Sequence, residues 1–293
     1  MDHKKLPAFV LFLVSTFALA QQDSGSFESW TRPATPFRII GNLFYVGGED
    51  LTSYLIETPK GLILLDGGSA VLAPVIKKNI EELGFKVEDI HFLLNSHAHL
   101  DHAGGLALLK KLSGAKLAAS EGDRPLLERR IPDPQFGDRL GFAGVEVDQV
   151  IHDGEAVQLG GVSLRAVLTP GHTPGCTTWT MTVTEDGKKY DVVFLCSTSA
   201  PDGYRLVNNK DYPQIASDYE HSFARLKHLP CDIFLGAHGS FFHLKEKRAH
   251  LKAGVHPNPF IDPNGFRWFV AASEREFRQK LQEQQRTAHT SGQ

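Results

Sequence analysis

The sequence predicts an α/β protein built from two sheets with helices on their outer faces. Three observations carry this reading. Short apolar strands followed by helix-like stretches occur twice along the chain, and no break in composition divides its 293 residues. The candidate metal-binding residues all follow apolar strand-like runs, where a rigid scaffold holds loop chemistry in place. A hydrophobic content of 41% suffices for a substantial core.

Residues 1–20 read as an export signal. Lys4 and Lys5 precede an apolar stretch at 6–19, and Ala18-Leu19-Ala20 has the small-x-small form of a cleavage site. The stretch is short for a bilayer span and carries Pro7 at its start, which disfavours a membrane anchor. The expected mature chain, 21–293, is one domain in the periplasm or outside the cell, without membrane contact after cleavage. Loss of Asp2, Lys4 and Lys5 takes the formal charge from −3 to −4. Such mild acidity without a basic patch argues against nucleic acid as a partner, and the lack of a heptad or apolar interface stretch makes a monomer the expectation.

In order, residues 37–46 and 52–57 alternate as strands, and Gly61–Leu65 is an apolar run ending at Asp66-Gly67-Gly68; together they read as an antiparallel meander. Ser69 is placed to cap a helix over 70–83, with Val71, Val75, Ile76, Ile80 and Leu83 on its apolar face and Gly84 at its end. Ile90–Leu94 is a short buried strand. Beyond it, 103–112 reads as a helix whose Gly104 and Gly105 allow close approach to the preceding histidines. Residues 116–119 form a strand and 122–130 a helix. The stretch 131–149 is irregular, with prolines and glycines interrupting Phe136, Leu140 and Phe142; it reads as a pocket wall or as plain surface packing.

A second set of strands follows at 147–151, Ala156–Leu159 and Val162–Leu168, ending in the rigid turn Thr169-Pro170-Gly171-His172-Thr173-Pro174-Gly175. Residues 177–184 and 189–194 flank Asp186-Gly187, a strong hairpin signal. Folding about that turn sets Cys176 opposite Cys196 within disulfide reach, leaving Cys231 as a free, buried thiol. A helix near 213–228, a strand at 232–235 leading to Gly236-Ala237-His238-Gly239, and helices near 243–253 and 263–284 complete the chain, with a frayed tail from Arg286.

The most informative stretch is Asn95-Ser96-His97-Ala98-His99-Leu100-Asp101-His102. Imidazole nitrogens and carboxylate oxygens suit Zn²⁺. Extended backbone would place His97, His99 and Asp101 on one side and His102 on the other. His97 with His99, and Asp101 with His102, could then hold two ions, each short of one ligand. A histidine-rich surface loop is the plain alternative, but alternation this strict rarely arises by accident. Of fourteen histidines, only His172 and His238 share the setting of a short apolar strand leading into a glycine-bounded turn.

The pattern His97-x-His99-x-Asp101-His102, then His172 in Gly-His-Thr-Pro-Gly, then His238, resembles the metallo-β-lactamase superfamily over nearly the whole mature chain. The resemblance implies a four-layer αβ/βα sandwich with two mixed sheets. It also implies two Zn²⁺ per chain, the first on His97, His99 and His172 and the second on Asp101, His102 and His238. Relatives such as glyoxalase II carry a bridging Asp at the end of the strand at 192–195, where this chain has Cys196-Ser197-Thr198. That departure is similar to the third subclass, B3, as are Ser197-Thr198-Ser199-Ala200-Pro201, Gly203-Tyr204 and Leu229-Pro230-Cys231-Asp232. The implied activity is opening of the β-lactam ring of penicillins, cephalosporins and carbapenems by a metal-bound hydroxide attacking the lactam carbonyl, conferring antibiotic resistance. Asp101 would help orient the nucleophile. Ser197 and Ser199 are candidates for binding the substrate carboxylate, or merely cap the strand end; Asn95 and Ser96 are candidates for fixing the imidazoles. Another exported dizinc hydrolase, a lactonase or thioesterase, would use the same ligands. A non-enzymatic zinc protein would close its coordination, whereas three ligands per ion leave a position open.

Overall fold

A computed structural model describes residues 29–137, 139 and 141–291. The expected export signal and Leu140 lie outside the described residues. Among the described residues, twelve strands form two mixed sheets, one of seven strands in sequential order and one of five.

The first sheet opens with a meander of β1 (Phe37–Ile40), β2 (Leu43–Tyr45), β3 (Tyr54–Thr58) and β4 (Gly61–Leu65). The single strand expected at 37–46 is thus two, folded back at Gly41-Asn42. Parallel strands β5 (Ile90–Leu94), β6 (Lys116–Ser120) and β7 (Gln149–Ile151) extend the sheet. Between β4 and β5 runs α1 (Ala73–Glu82), shorter than expected. Ser69 does not cap it; its hydroxyl is buried without a hydrogen-bond partner, and its carbonyl accepts from the Leu72 and Ala73 amides. Val71 consequently precedes the helix and is exposed, while Ile76 and Ile80 are buried.

The helix expected at 103–112 is two: α2 (Leu100–Ala103) and α3 (Leu106–Ser113). Gly104 and Gly105 separate them for a steric reason. A Cβ on Gly105 would meet the Gly67 carbonyl oxygen at 2.1 Å, and one on Gly104 the Leu100 carbonyl oxygen at 2.3 Å. The close approach these glycines allow is therefore to the loop after β4. Of the helix expected at 122–130, a single turn forms, α4 (Arg124–Leu127).

The second sheet runs β12-β11-β10-β9-β8, formed by β8 (Ala156–Leu159), β9 (Val162–Leu168), β10 (Thr177–Glu185), β11 (Lys188–Leu195) and β12 (Ile233–Gly236). All its pairings are antiparallel except β11 with β12. Asp186 and Gly187, both at positive φ, turn β10 into β11, as the two-residue hairpin requires. Just outside that ladder Cys176 and Cys196 form a disulfide with Cα atoms 6.0 Å apart, and Cys231 is free, though half-buried rather than buried as expected.

Helices α5 (Ile215–Leu226), α6 (Leu244–Lys252) and α7 (Gly265–Ser291) follow. Phe234 of β12 packs against Phe266 and Phe269 of α7. Helix α7 continues through the tail expected to fray. Gln284 is fastened to the Tyr204 carbonyl and the Leu206 amide, and the Thr287 and Thr290 hydroxyls bond back to carbonyls one turn earlier. One core lies between the sheets, centred on Trp179, Tyr54 and Phe194; a second packs the other face of the first sheet against α1 and α3.

Candidate metal centre

Loops from both sheets converge at one edge because hydrogen bonds to their backbones join them there. The Thr177 amide donates to the Ser96 carbonyl at 2.8 Å, and the buried Trp179 indole donates to the Asn95 carbonyl at 3.0 Å. On the other side the Thr52 hydroxyl bonds the carbonyls of Gly236 and Ala237. The chain after β5, the turn after β9 and the end of β12 are thereby held face to face.

All six expected ligands meet there, in two triangles. In the first, donor atoms of His97, His99 and His172 lie within 4.8 Å of one another, with His99 Nδ1 3.1 Å from His172 Nε2. In the second, His102 Nε2 is 3.2 Å from Asp101 Oδ2 and 3.3 Å from His238 Nε2, and His238 Nε2 is 3.5 Å from Asp101 Oδ2. Strand alternation does not produce this division. The chain turns helical at Leu100, so Asp101 and His102 face the second triangle together. His97 also lies within 4.8 Å of Asp101 and His102, so the triangles are neighbours.

Outer contacts fix how the rings present themselves. Ser96 Oγ donates to Asp66 Oδ2 at 2.6 Å, leaving it to accept from His97 Nδ1 at 3.0 Å. The Ser199 carbonyl accepts from His172 Nδ1 at 2.8 Å. Asp133 accepts from His99 Nε2 at 3.1 Å, and Asp50 from His238 Nδ1 at 2.9 Å. In the first triangle each inward nitrogen is therefore an unprotonated acceptor, and His97 Nε2 is buried with no hydrogen-bond partner. Facing acceptors 3.1 Å apart repel unless a cation lies between them. Nitrogens bound tetrahedrally at 2.0–2.1 Å stand about 3.3 Å apart, close to the His99–His172 separation in the first triangle and to all three separations in the second. The donor set thus fits a divalent metal.

The electrostatics of the triangles differ. Burial holds the His97 ring well below its usual range, reinforced by the nearby His102, His172 and His99 rings. Burial and His99 likewise bring His172 down to about 3. Burial also opposes charge on His102 and His238, yet the adjoining carboxylates prevail and both are raised: Asp101 and Asp66 at His102, Asp101 and Asp50 at His238. Asp101, despite burial, is held well below the carboxylate range by those two rings.

Four carboxylates around the cluster escaped sequence reading. Asp66 accepts from Asn95 Nδ2, the Ser96 amide and Ser96 Oγ, and points at His102 Nδ1 from 3.5 Å. Asp123 accepts from the Ala98 amide, the Thr173 hydroxyl and the Gly175 amide, tying the two histidine loops of the first triangle together. Asp50 and Asp133 back His238 and His99. Only Asp66 carried a signal, since Asp66-Gly67-Gly68 ends a strand as the glycine-bounded turns of His172 and His238 do. Of the expected substrate groups, Ser197 is buried and Ser199 exposed, with their hydroxyls 3.0 Å apart and Ser199 Oγ 3.4 Å from His172 Nδ1. Ser96 holds an imidazole as expected; Asn95 acts on Asp66 instead.

This fold and donor arrangement define a metal-dependent hydrolase class, and the chain belongs to the metallo-β-lactamase superfamily, whose family model matches residues 46–238. Within it the chain resembles subclass B3 enzymes. It is 40% identical to BJP-1, a subclass B3 metallo-β-lactamase of Bradyrhizobium japonicum, over 89% of this chain and 98% of that one, with a TM-score of 0.84. It is 44% identical to the FEZ-1 metallo-β-lactamase from Legionella gormanii, over 87% of this chain and 98% of that one, also at 0.84. Among curated relatives, the hydroxyacylglutathione hydrolase GloC of Haemophilus influenzae is 29% identical over 72% of this chain and 92% of its own length. Other curated hydrolases are matched over only 32%, 41% and 50% of their length.

Proposed function

We propose that this chain is a dizinc β-lactamase that opens the ring of penicillins, cephalosporins and carbapenems. One ion would be held by His97, His99 and His172, the other by Asp101, His102 and His238. The observation that carries this reading over other hydrolases of the fold is the end of β11. There Cys196 is committed to the disulfide with Cys176, and Ser197 follows, so no carboxylate from this strand bridges the triangles. Structural likeness to subclass B3 enzymes supports the same choice.

Zinc in such a site supplies Lewis acidity toward the lactam carbonyl and lowers the pKa of water to about 7. The protein's own part is positional. Asp101 is the one carboxylate inside the second triangle, suited to accept a hydrogen bond from the attacking water and orient it. Ser199 is exposed at the rim, where its hydroxyl can donate to the substrate carboxylate, with Ser197 supporting it at 3.0 Å. The Tyr204 hydroxyl donates to the His172 carbonyl at 2.9 Å and steadies that turn.

We read the protein as a monomeric mature chain, exported after cleavage behind Ala20. No helix among the described residues is long and apolar enough to cross a membrane, and the disulfide suits an oxidising compartment. A lactonase or thioesterase is the second reading, favoured by the likeness to GloC over most of that protein's length. A substrate panel of a chromogenic cephalosporin, a penicillin, a carbapenem, a lactone and a glutathione thioester, with and without dipicolinate, separates the two. Lactam turnover abolished by the chelator is expected; thioester or lactone turnover without lactam turnover would overturn the assignment. Ser199→Ala should raise the carbapenem KM roughly tenfold, the worth of one hydrogen bond to a charged group; an unchanged KM removes Ser199 from substrate binding.

A further inference from the structure

The irregular loop after α4 reaches the metal centre through a carboxylate. Asp133 Oδ2 lies 3.1 Å from His99 Nε2, and the two side chains are only 9% and 7% exposed. Asp133 Oδ1 accepts the backbone N–H groups of Gln135 at 2.8 Å and Phe136 at 2.7 Å, so the carboxylate is locked against rotation. The loop is itself pinned. Asp133 and Gly137 exchange backbone hydrogen bonds, Gln135 Oε1 accepts from the Arg205 amide at 3.0 Å, and the Phe136 ring packs edge-on against both His99 and Tyr204.

A neutral imidazole carries its proton on either nitrogen, and only the nitrogen without it can bind a metal. A carboxylate only accepts, so Asp133 keeps the proton on His99 Nε2 and turns the Nδ1 lone pair inward, toward His172 Nε2. We propose that Asp133 is a positioning residue that fixes the tautomer and ring orientation of His99, so that the loop after α4 and the first triangle act as one unit. Loss of the carboxylate weakens the ion held by His97, His99 and His172 and spares the one held by Asp101, His102 and His238. This rests on the dizinc reading above.

Asp133→Asn is the sharp substitution. Its amide oxygen remains engaged by the two backbone N–H groups, so its NH₂ faces His99 Nε2. Donor against donor favours the tautomer with the proton on Nδ1, which points the wrong nitrogen at the ion. Competition of zinc-loaded protein with a graded chelator measures the affinity for each ion, and ¹⁵N NMR of the histidine rings reads which nitrogen of His99 is protonated. The expected result is a 10- to 100-fold weaker hold on one ion in Asp133→Asn, the usual range for such an outer partner, with the other ion unchanged. Wild-type His99 should carry its proton on Nε2, a readout that needs no variant to fold.

Equal weakening of both ions, unchanged affinity for both, or a wild-type His99 protonated on Nδ1 would overturn the proposal. A wild-type chain that binds no zinc overturns it together with the dizinc reading. Wild-type protein that binds two ions, with Asp133→Asn matching it, overturns the positioning role alone.

Discussion

His97 and His172 lie in a triangle where burial keeps their rings neutral, whereas Asp101 sits between His102 and His238, two rings that its charge raises. His97 and His172 offer a metal lone pairs that are already bare. In the second triangle, protons balance the carboxylate, and a metal must displace them. Their surroundings follow the same division. His97 and His172 are backed by a hydroxyl and a carbonyl, while Asp66 and Asp50 stand behind His102 and His238. At these rings two sites that share a wall are thus tuned by different means, desolvation at His97 and His172 and charge at His102 and His238, while the third ring of the first site, His99, has the Asp133 carboxylate behind it.

The division between the triangles is tested most severely by removing the charge. Asp101→Asn should strip zinc from the second triangle only and lower kcat/KM by about 10²–10⁴-fold. Metal analysis beside steady-state kinetics checks it, and loss of both ions would mean that the triangles are not independent. Stability is the next lever. The disulfide joins the chain just after the His172 turn to the chain just before Ser197, so the double variant Cys176→Ala/Cys196→Ala should cost about 2–4 kcal/mol and loosen the first triangle more than the second. Denaturant unfolding and chelator competition on the same variant give both numbers.

The mildest probe is pH. His102 and His238 are raised above the ordinary histidine value of 6.5, so zinc at the second triangle displaces protons near neutrality. Its affinity should fall as pH falls, about tenfold per unit for each proton displaced, and more steeply than at the first triangle, where His97 and His172 are already neutral. In metal-free protein the sign reverses. The stability these raised rings contribute is fully present below 6.5 and is lost as pH rises through their folded values, so the melting temperature should decline on the alkaline side. Parallel pH slopes for both ions would erase the distinction.

The sequence made the ligands visible for a local reason. Four of the six lie within six residues at the end of one strand, and His172 and His238 repeat the strand-then-glycine setting. The disulfide was legible because Asp186-Gly187 fixes the hairpin and hence what stands opposite what. The outer carboxylates were hidden because their partners are remote: Asp50 meets His238 across 188 residues and Asp133 meets His99 across 34. Helix boundaries failed where sterics or turns overrode pattern, as at Gly104-Gly105, where the neighbouring loop comes too close for a side chain, and at Ser69, whose carbonyl rather than hydroxyl meets α1. The division of the motif was misread as strand alternation because nothing in the apolar pattern marks the helical turn at Leu100.

The proposed lactam turnover requires both triangles to be filled. Metal-free protein titrated with zinc while chromogenic cephalosporin hydrolysis is followed should gain full activity at two equivalents per chain. Activity complete at one equivalent, or absent at any zinc level, would contradict it.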